Sequence, residues 1–84
     1  MRQLKNCKKG HFVKYNGVLY QINCFFTGLR GKQATLVEVK ESGSKHLITP
    51  SVTERVEYLG DHAKDENGNI WIMTRRPGIT VNYK

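Results

Sequence analysis

The chain has 84 residues, 38% hydrophobic and 25% charged, and its fourteen Lys and Arg against seven Asp and Glu give a formal charge of +7. That length permits one small domain with a single modest core, not a deep substrate cavity under its own lid, and the composition lies away from the disordered class. No apolar run approaches the ~18 residues of a membrane span, and the charged N-terminus leads into no apolar signal segment, so a soluble, cytoplasmic protein with no membrane partner is expected.

Period-2 alternation predicts strands throughout. Val13 and Tyr15, then Val18, Tyr20, Ile22 and Cys24, alternate with His11 or Lys14 and with Gln21 and Asn23, which predicts strands near 11–15 and 18–26. Asn16-Gly17 between them suits a type I′ hairpin turn, which needs positive φ at both central positions. A glycine-flanked basic loop follows, Thr27-Gly28-Leu29-Arg30-Gly31-Lys32-Gln33, whose glycines allow close backbone approach. Ala34 to Val39 is the third strand, Glu41 to Ser44 a turn, and Lys45 to Thr49 a short fourth strand ended by Pro50. Ser51 and Glu54 have capping-box spacing, which predicts one helical turn before a fifth strand at Arg55 to Leu59. Five short strands with a helical turn before the last outline an all-β, SH3-like barrel.

The remaining residues read as a turn at Asp65 to Asn69, a strand at Ile70 to Thr74, a turn at Arg76-Pro77-Gly78 and a last strand at Ile79 to Tyr83. They are expected to form a C-terminal hairpin, residues 60–84, packed on a barrel of residues 8–59 within one domain. Ile70-Trp71-Ile72-Met73 is apolar on both faces, so Trp71 is expected in a core in preference to a partner site.

The order Lys9-Gly10, Val13, Tyr15-Asn16-Gly17, Leu19-Tyr20, Ile22, Phe26, the loop Gly28 to Gln33, Ala34, Ser42-Gly43, Pro50 and Glu54-Arg55-Val56-Glu57 resembles the N-terminal domain of translation elongation factor P. It is also similar to that factor's archaeal and eukaryotic counterpart and, more loosely, to KOW-type barrels. The resemblance covers about residues 8 to 59. It implies an SH3-like barrel whose β3–β4 loop carries a modified Lys or Arg that reaches into the ribosome beside the tRNA acceptor end. Arg30 or Lys32 is the positional match, and the likeness is to a module rather than to a whole factor.

All the excess charge lies in the first half: eight bases and one acid up to Lys40, then six bases and six acids. Such asymmetry favours a polyanionic partner, either nucleic acid (RNA or DNA) or a ribonucleoprotein, and also fits an acidic protein. Arg30 and Lys32 are the candidate phosphate contacts, Arg by bidentate hydrogen bonds and Lys as a point charge. Lys8, Lys9 and Lys14 extend that surface along the first hairpin, and Arg75 and Arg76 offer a second basic lip. Phe25 and Phe26 are adjacent, so a regular strand turns only one of them inward; the other is expected to pack at a barrel corner in preference to stacking on a base, and Phe25 is the candidate for such a stack.

Cys7 and Cys24 read as free thiols, and Cys7 with His11 falls short of the roughly four ligands of a zinc site. No nucleophile elbow, phosphate-cradling loop or paired-carboxylate arrangement appears, so no enzyme, cofactor or small-molecule substrate is expected. The reading is a non-enzymatic, basic nucleic-acid- or ribonucleoprotein-binding module. Its alternative is an interaction module that docks on an acidic partner in the transcription or translation machinery.

Overall fold

The computed structural model, which describes residues 1–40, 46–73 and 80–83, is made of antiparallel strands, one 3-10 turn and, among the described residues, no α-helix. Asn16 and Gly17 take φ 52° and 77°, the two left-handed steps of a type I′ turn. They join β2 (Phe12–Tyr15) to β3 (Val18–Gly28), with Tyr15 opposite Val18.

β4 (Gly31–Glu38) returns along β3, and β5 (Leu47–Ile48) pairs with β4. On the other side of β2 lies β6 (Arg55–Gly60), which in turn carries β1 (Arg2–Gln3). The sheet order is β1-β6-β2-β3-β4-β5, and its ladders do not close into a barrel. A second sheet holds β7 (His62–Lys64), β8 (Ile70–Met73) and β9 (Thr80–Tyr83) in that order.

Alternation along β2 and β3 sends side chains into two cores. Val13, Tyr20 and Ile22 join Leu4, Cys7, Ala34, Leu36, Val52 and Val56 on one face. Phe12 and Leu19 on the other face meet Ala63 and Trp71 of the second sheet. Two-sided burial explains why this hairpin is apolar beyond simple alternation. It also places Trp71, 7% exposed, in a core as its sequence pattern led one to expect.

The first hairpin, the third strand, the fifth strand and the strand at Ile70 stand where the alternation placed them, within a few residues. The fourth strand contracts to Leu47–Ile48, and β1, β7 and the 3-10 turn Leu4–Asn6 have no counterpart in the sequence reading. Two- and three-residue elements are too short to show a period.

The expected helical turn at Ser51–Glu54 is a tight turn instead. Ser51 Oγ accepts from the Thr53 N–H at 3.3 Å, and the Glu54 carboxylate reaches away to accept from Tyr15 Oη–H at 2.9 Å. Glu54 is thereby committed to β2 and does not close a capping box. The turns at Glu41–Ser44 and Arg76–Gly78, with Lys45, Thr74 and Ile79, lie outside the described residues.

Candidate functional site

The region read as a loop from Thr27 to Gln33 is mostly ladder. Thr27 pairs with Lys32 and Gly28 with Gly31, leaving Leu29 and Arg30 as a two-residue tip. Gly31 takes the left-handed step at φ 96°. Leu29 and Arg30 are both exposed at this tip.

The positions of the two phenylalanines depend on a β-bulge. Ile22 pairs with Leu36 and Cys24 with Thr35, so Asn23 is the extra residue on β3. Without it, Ile22, Cys24 and Phe26 would share a face. With it, Phe25 stands opposite the core residue Ala34 and Phe26 opposite Gln33.

Phe25 therefore continues the face of the first core beyond the point where other chain covers it, and remains 38% exposed. Phe26, 39% exposed, lies over Gly28, where an added Cβ would come within 3.3 Å of its ring. That Cβ would also fall 2.6 Å from Gln33 Oε1, and the Gln33 amide is tied by its Nε2–H to Thr49 O at 2.8 Å. Glycine at position 28 is what lets Phe26 and Gln33 close over the ribbon there.

A groove of about 370 Å³ opens beside these rings, lined by Lys5, Phe25, Phe26, Thr27, Lys32 and Val52. Val52 positions both lysines. Its carbonyl accepts from the Lys5 N–H at 2.9 Å, and its own N–H donates to Lys32 O at 3.1 Å. The side chains of Lys5 and Lys32 are exposed, and neither forms an ion pair with a described carboxylate. The groove is thus aromatic and cationic, with no acid among its described lining residues.

The other sequence-derived candidates are distributed differently. Lys8 and Lys9 are exposed just before Gly10, whose N–H donates to Ile22 O at 2.7 Å, so they flank β3 short of the bulge. Lys14 pairs with Leu19, and from Leu19 to Thr27 is roughly 25 Å of extended strand. It lines a second cleft of about 720 Å³ with Lys40 and Lys64, but also with Glu38, Asp65 and Glu66. Lys40 is paired there with Glu38 at 3.4 Å. Lys14 is therefore not part of the groove's surface, and its surroundings are of mixed sign. Arg75 and Arg76 lie outside the described residues.

The alternation pattern gave no reason to single out Lys5, because the 3-10 turn that carries it has no sequence signal of its own. Arg2 is a cation with a different use, its guanidinium 4.2 Å above the Tyr58 ring. Tyr58 in turn shares a hydrogen bond with His11 Nδ1.

Asp65 is the hub of the β7–β8 connection. Its Oδ1 accepts from the N–H groups of Asn67 and Asn69, each at 2.9 Å, and its Oδ2 from Asn69 Nδ2–H at 3.2 Å and Trp71 Nε1–H at 3.0 Å. The hydrogen bond from Trp71, with those from Asn69 and Asn67, holds its carboxyl below the usual aspartate value. This is structural use of an acid, and it fixes the indole of the second core.

Among the described residues, no three His, Cys, Asp or Glu side chains are grouped to hold a metal ion, and no helix is long and apolar enough to cross a membrane. Comparison with family models, with curated proteins and with solved structures finds no match to this chain.

Proposed function

We propose that this protein is a non-enzymatic, SH3-like module that binds nucleic acid, alone or within a ribonucleoprotein, through the end of the β3–β4 ribbon. The observation that carries this reading is that Val52 is hydrogen-bonded through its backbone to both Lys5 and Lys32, which line one groove with partly exposed phenylalanine rings and form no ion pair with a described carboxylate. Cations not engaged in an ion pair keep their charge available for phosphates, and Arg30 at the ribbon tip adds a bidentate donor.

Support for the SH3-like form comes from residues 50–54, which link the two sides of the open sheet. The Ala34 N–H donates to Pro50 O at 3.0 Å on the β4 side, while the Leu4 N–H donates to Glu54 O at 3.0 Å on the β1 side. A segment that links both sides of an open sheet in this way is what an SH3-like form calls for.

Binding of this kind draws its free energy from counterion release, so it weakens steeply with salt and discriminates little between sequences. The test is a salt-titrated binding assay with Arg30→Glu/Lys32→Glu beside the wild type. The double variant is expected to lose affinity for RNA and DNA and to reduce the salt slope by about one for each phosphate it no longer neutralises. Unchanged binding by a folded double variant contradicts the assignment, and co-purification of one acidic protein without any nucleic-acid binding supports the interaction-module reading instead.

A further inference from the structure

Resting on the nucleic-acid reading, we propose that the groove beside Phe25 is a stacking site for an unpaired base, so that the protein selects single strands over duplexes. Phe25 and Phe26 differ in what they are free to do. Phe26 lies against Gly28 and shares its face with Gln33, whose amide is fixed to Thr49. Phe25 shares its face with Lys32 through the Thr27–Lys32 and Phe25–Ala34 pairs, and 38% of it is exposed where the first core ends. Its ring meets solvent in the groove that Lys5, Phe26, Thr27, Lys32 and Val52 also line.

That arrangement is complementary to a nucleotide in a single strand. An unpaired base offers its π-face to the ring, and the phosphates on its two sides reach Lys5 and Lys32. In a duplex the base faces are covered by their neighbours, so only the phosphates remain to be bound. The groove, about 370 Å³, lies at the small end of the range for ligand sites and suits one flat ring system with its sugar. The lysines attract either kind of nucleic acid, and Phe25 distinguishes the strand state. Sequence preference is expected to be weak, because every base has a π-face.

The experiment is an anisotropy titration with labelled oligo(U), oligo(dT) and the oligo(A)·oligo(U) duplex of equal length, at one low salt concentration. The proteins are the wild type, Phe25→Ala, Phe25→Tyr and Arg30→Glu/Lys32→Glu, each checked for fold by near-ultraviolet circular dichroism. Wild type is expected to prefer the single strands. Phe25→Ala is expected to lose roughly 5- to 150-fold in single-strand affinity, the span of one base–aromatic stack, with duplex binding changed little. Phe25→Tyr, which keeps the ring, restores single-strand affinity. Equal loss on strands and duplex, or no loss with Phe25→Ala while the charge-reversed variant fails to bind, overturns the stacking site and leaves the nucleic-acid reading standing. No binding by the wild type overturns both.

Discussion

Lys5 and Lys32 are held together through the backbone of one residue: Val52 accepts from the Lys5 N–H at 2.9 Å and donates to Lys32 O at 3.1 Å. Val52 is itself 8% exposed and packed in the first core. The backbones that carry the two cations are therefore set by buried structure, while their side chains remain in water. A surface whose backbone is positioned by a core loses little backbone order on binding, and the ordering cost falls on the two lysine side chains.

The phenylalanines give the first prediction, on stability alone. Phe25→Ala is expected to cost about 1–2 kcal/mol, below the ~3–5 kcal/mol of a fully buried Phe→Ala change, because its ring is only partly covered. Phe12→Ala, at a fully buried position shared with Leu19, Ala63 and Trp71, is expected to reach the ~3–5 kcal/mol range. Urea unfolding followed by Trp71 fluorescence measures both.

The ribbon tip gives the second. Gly31 has φ 96° and open space around an added Cβ, so Gly31→Ala introduces backbone strain without a clash. A loss of about 1–2 kcal/mol is expected from the left-handed conformation of an L-residue. Gly28→Ala acts differently, by pushing on Gln33 and Phe26. It is expected to loosen the Gln33–Thr49 hydrogen bond, visible as faster exchange of the β4 amides.

Acid gives the third. The Asp65 carboxyl is held below its ordinary value of 3.8 in the folded chain, chiefly by the Trp71 indole. Its contribution to stability is thus present in full above about 3.8 and is lost as pH falls below that value through the lower folded pKa. Asp65→Asn is expected to lower the melting temperature at neutral pH and to remove part of the acid dependence below the ordinary value of 3.8, readable in melts across acid pH.

Thiol chemistry gives the fourth. Cys7 is 7% exposed, and burial pushes its thiol above the ordinary value, which leaves less thiolate at neutral pH. Cys24 is more open, with its Sγ 3.5 Å from Thr35 Oγ1. A thiol reagent is expected to label Cys24 first in the native protein and Cys7 only after unfolding, as mass analysis of the labelled peptides will show.

The strands with four or more alternating residues and a defined turn were legible in the sequence, the Asn16-Gly17 hairpin most clearly. The short elements were not, and the site depends on them. Lys5 enters it by way of a three-residue 3-10 turn, and Phe25 faces the core side only because Asn23 is bulged. A bulge reverses every side chain beyond it without leaving a composition signal. Charge asymmetry drew attention to the first half of the chain, but the count could not show that Lys14 sits among acids at a separate cleft.

The most direct test of the central claim is amide chemical-shift mapping of the labelled protein during titration with oligo(U) at low salt. The largest shifts are expected at Lys5, Phe25, Thr27, Lys32 and Val52, with smaller ones at Leu29 and Arg30. Shifts confined to Lys14, Lys64 and Glu66 around the second cleft, or none at saturating oligo(U), would contradict it.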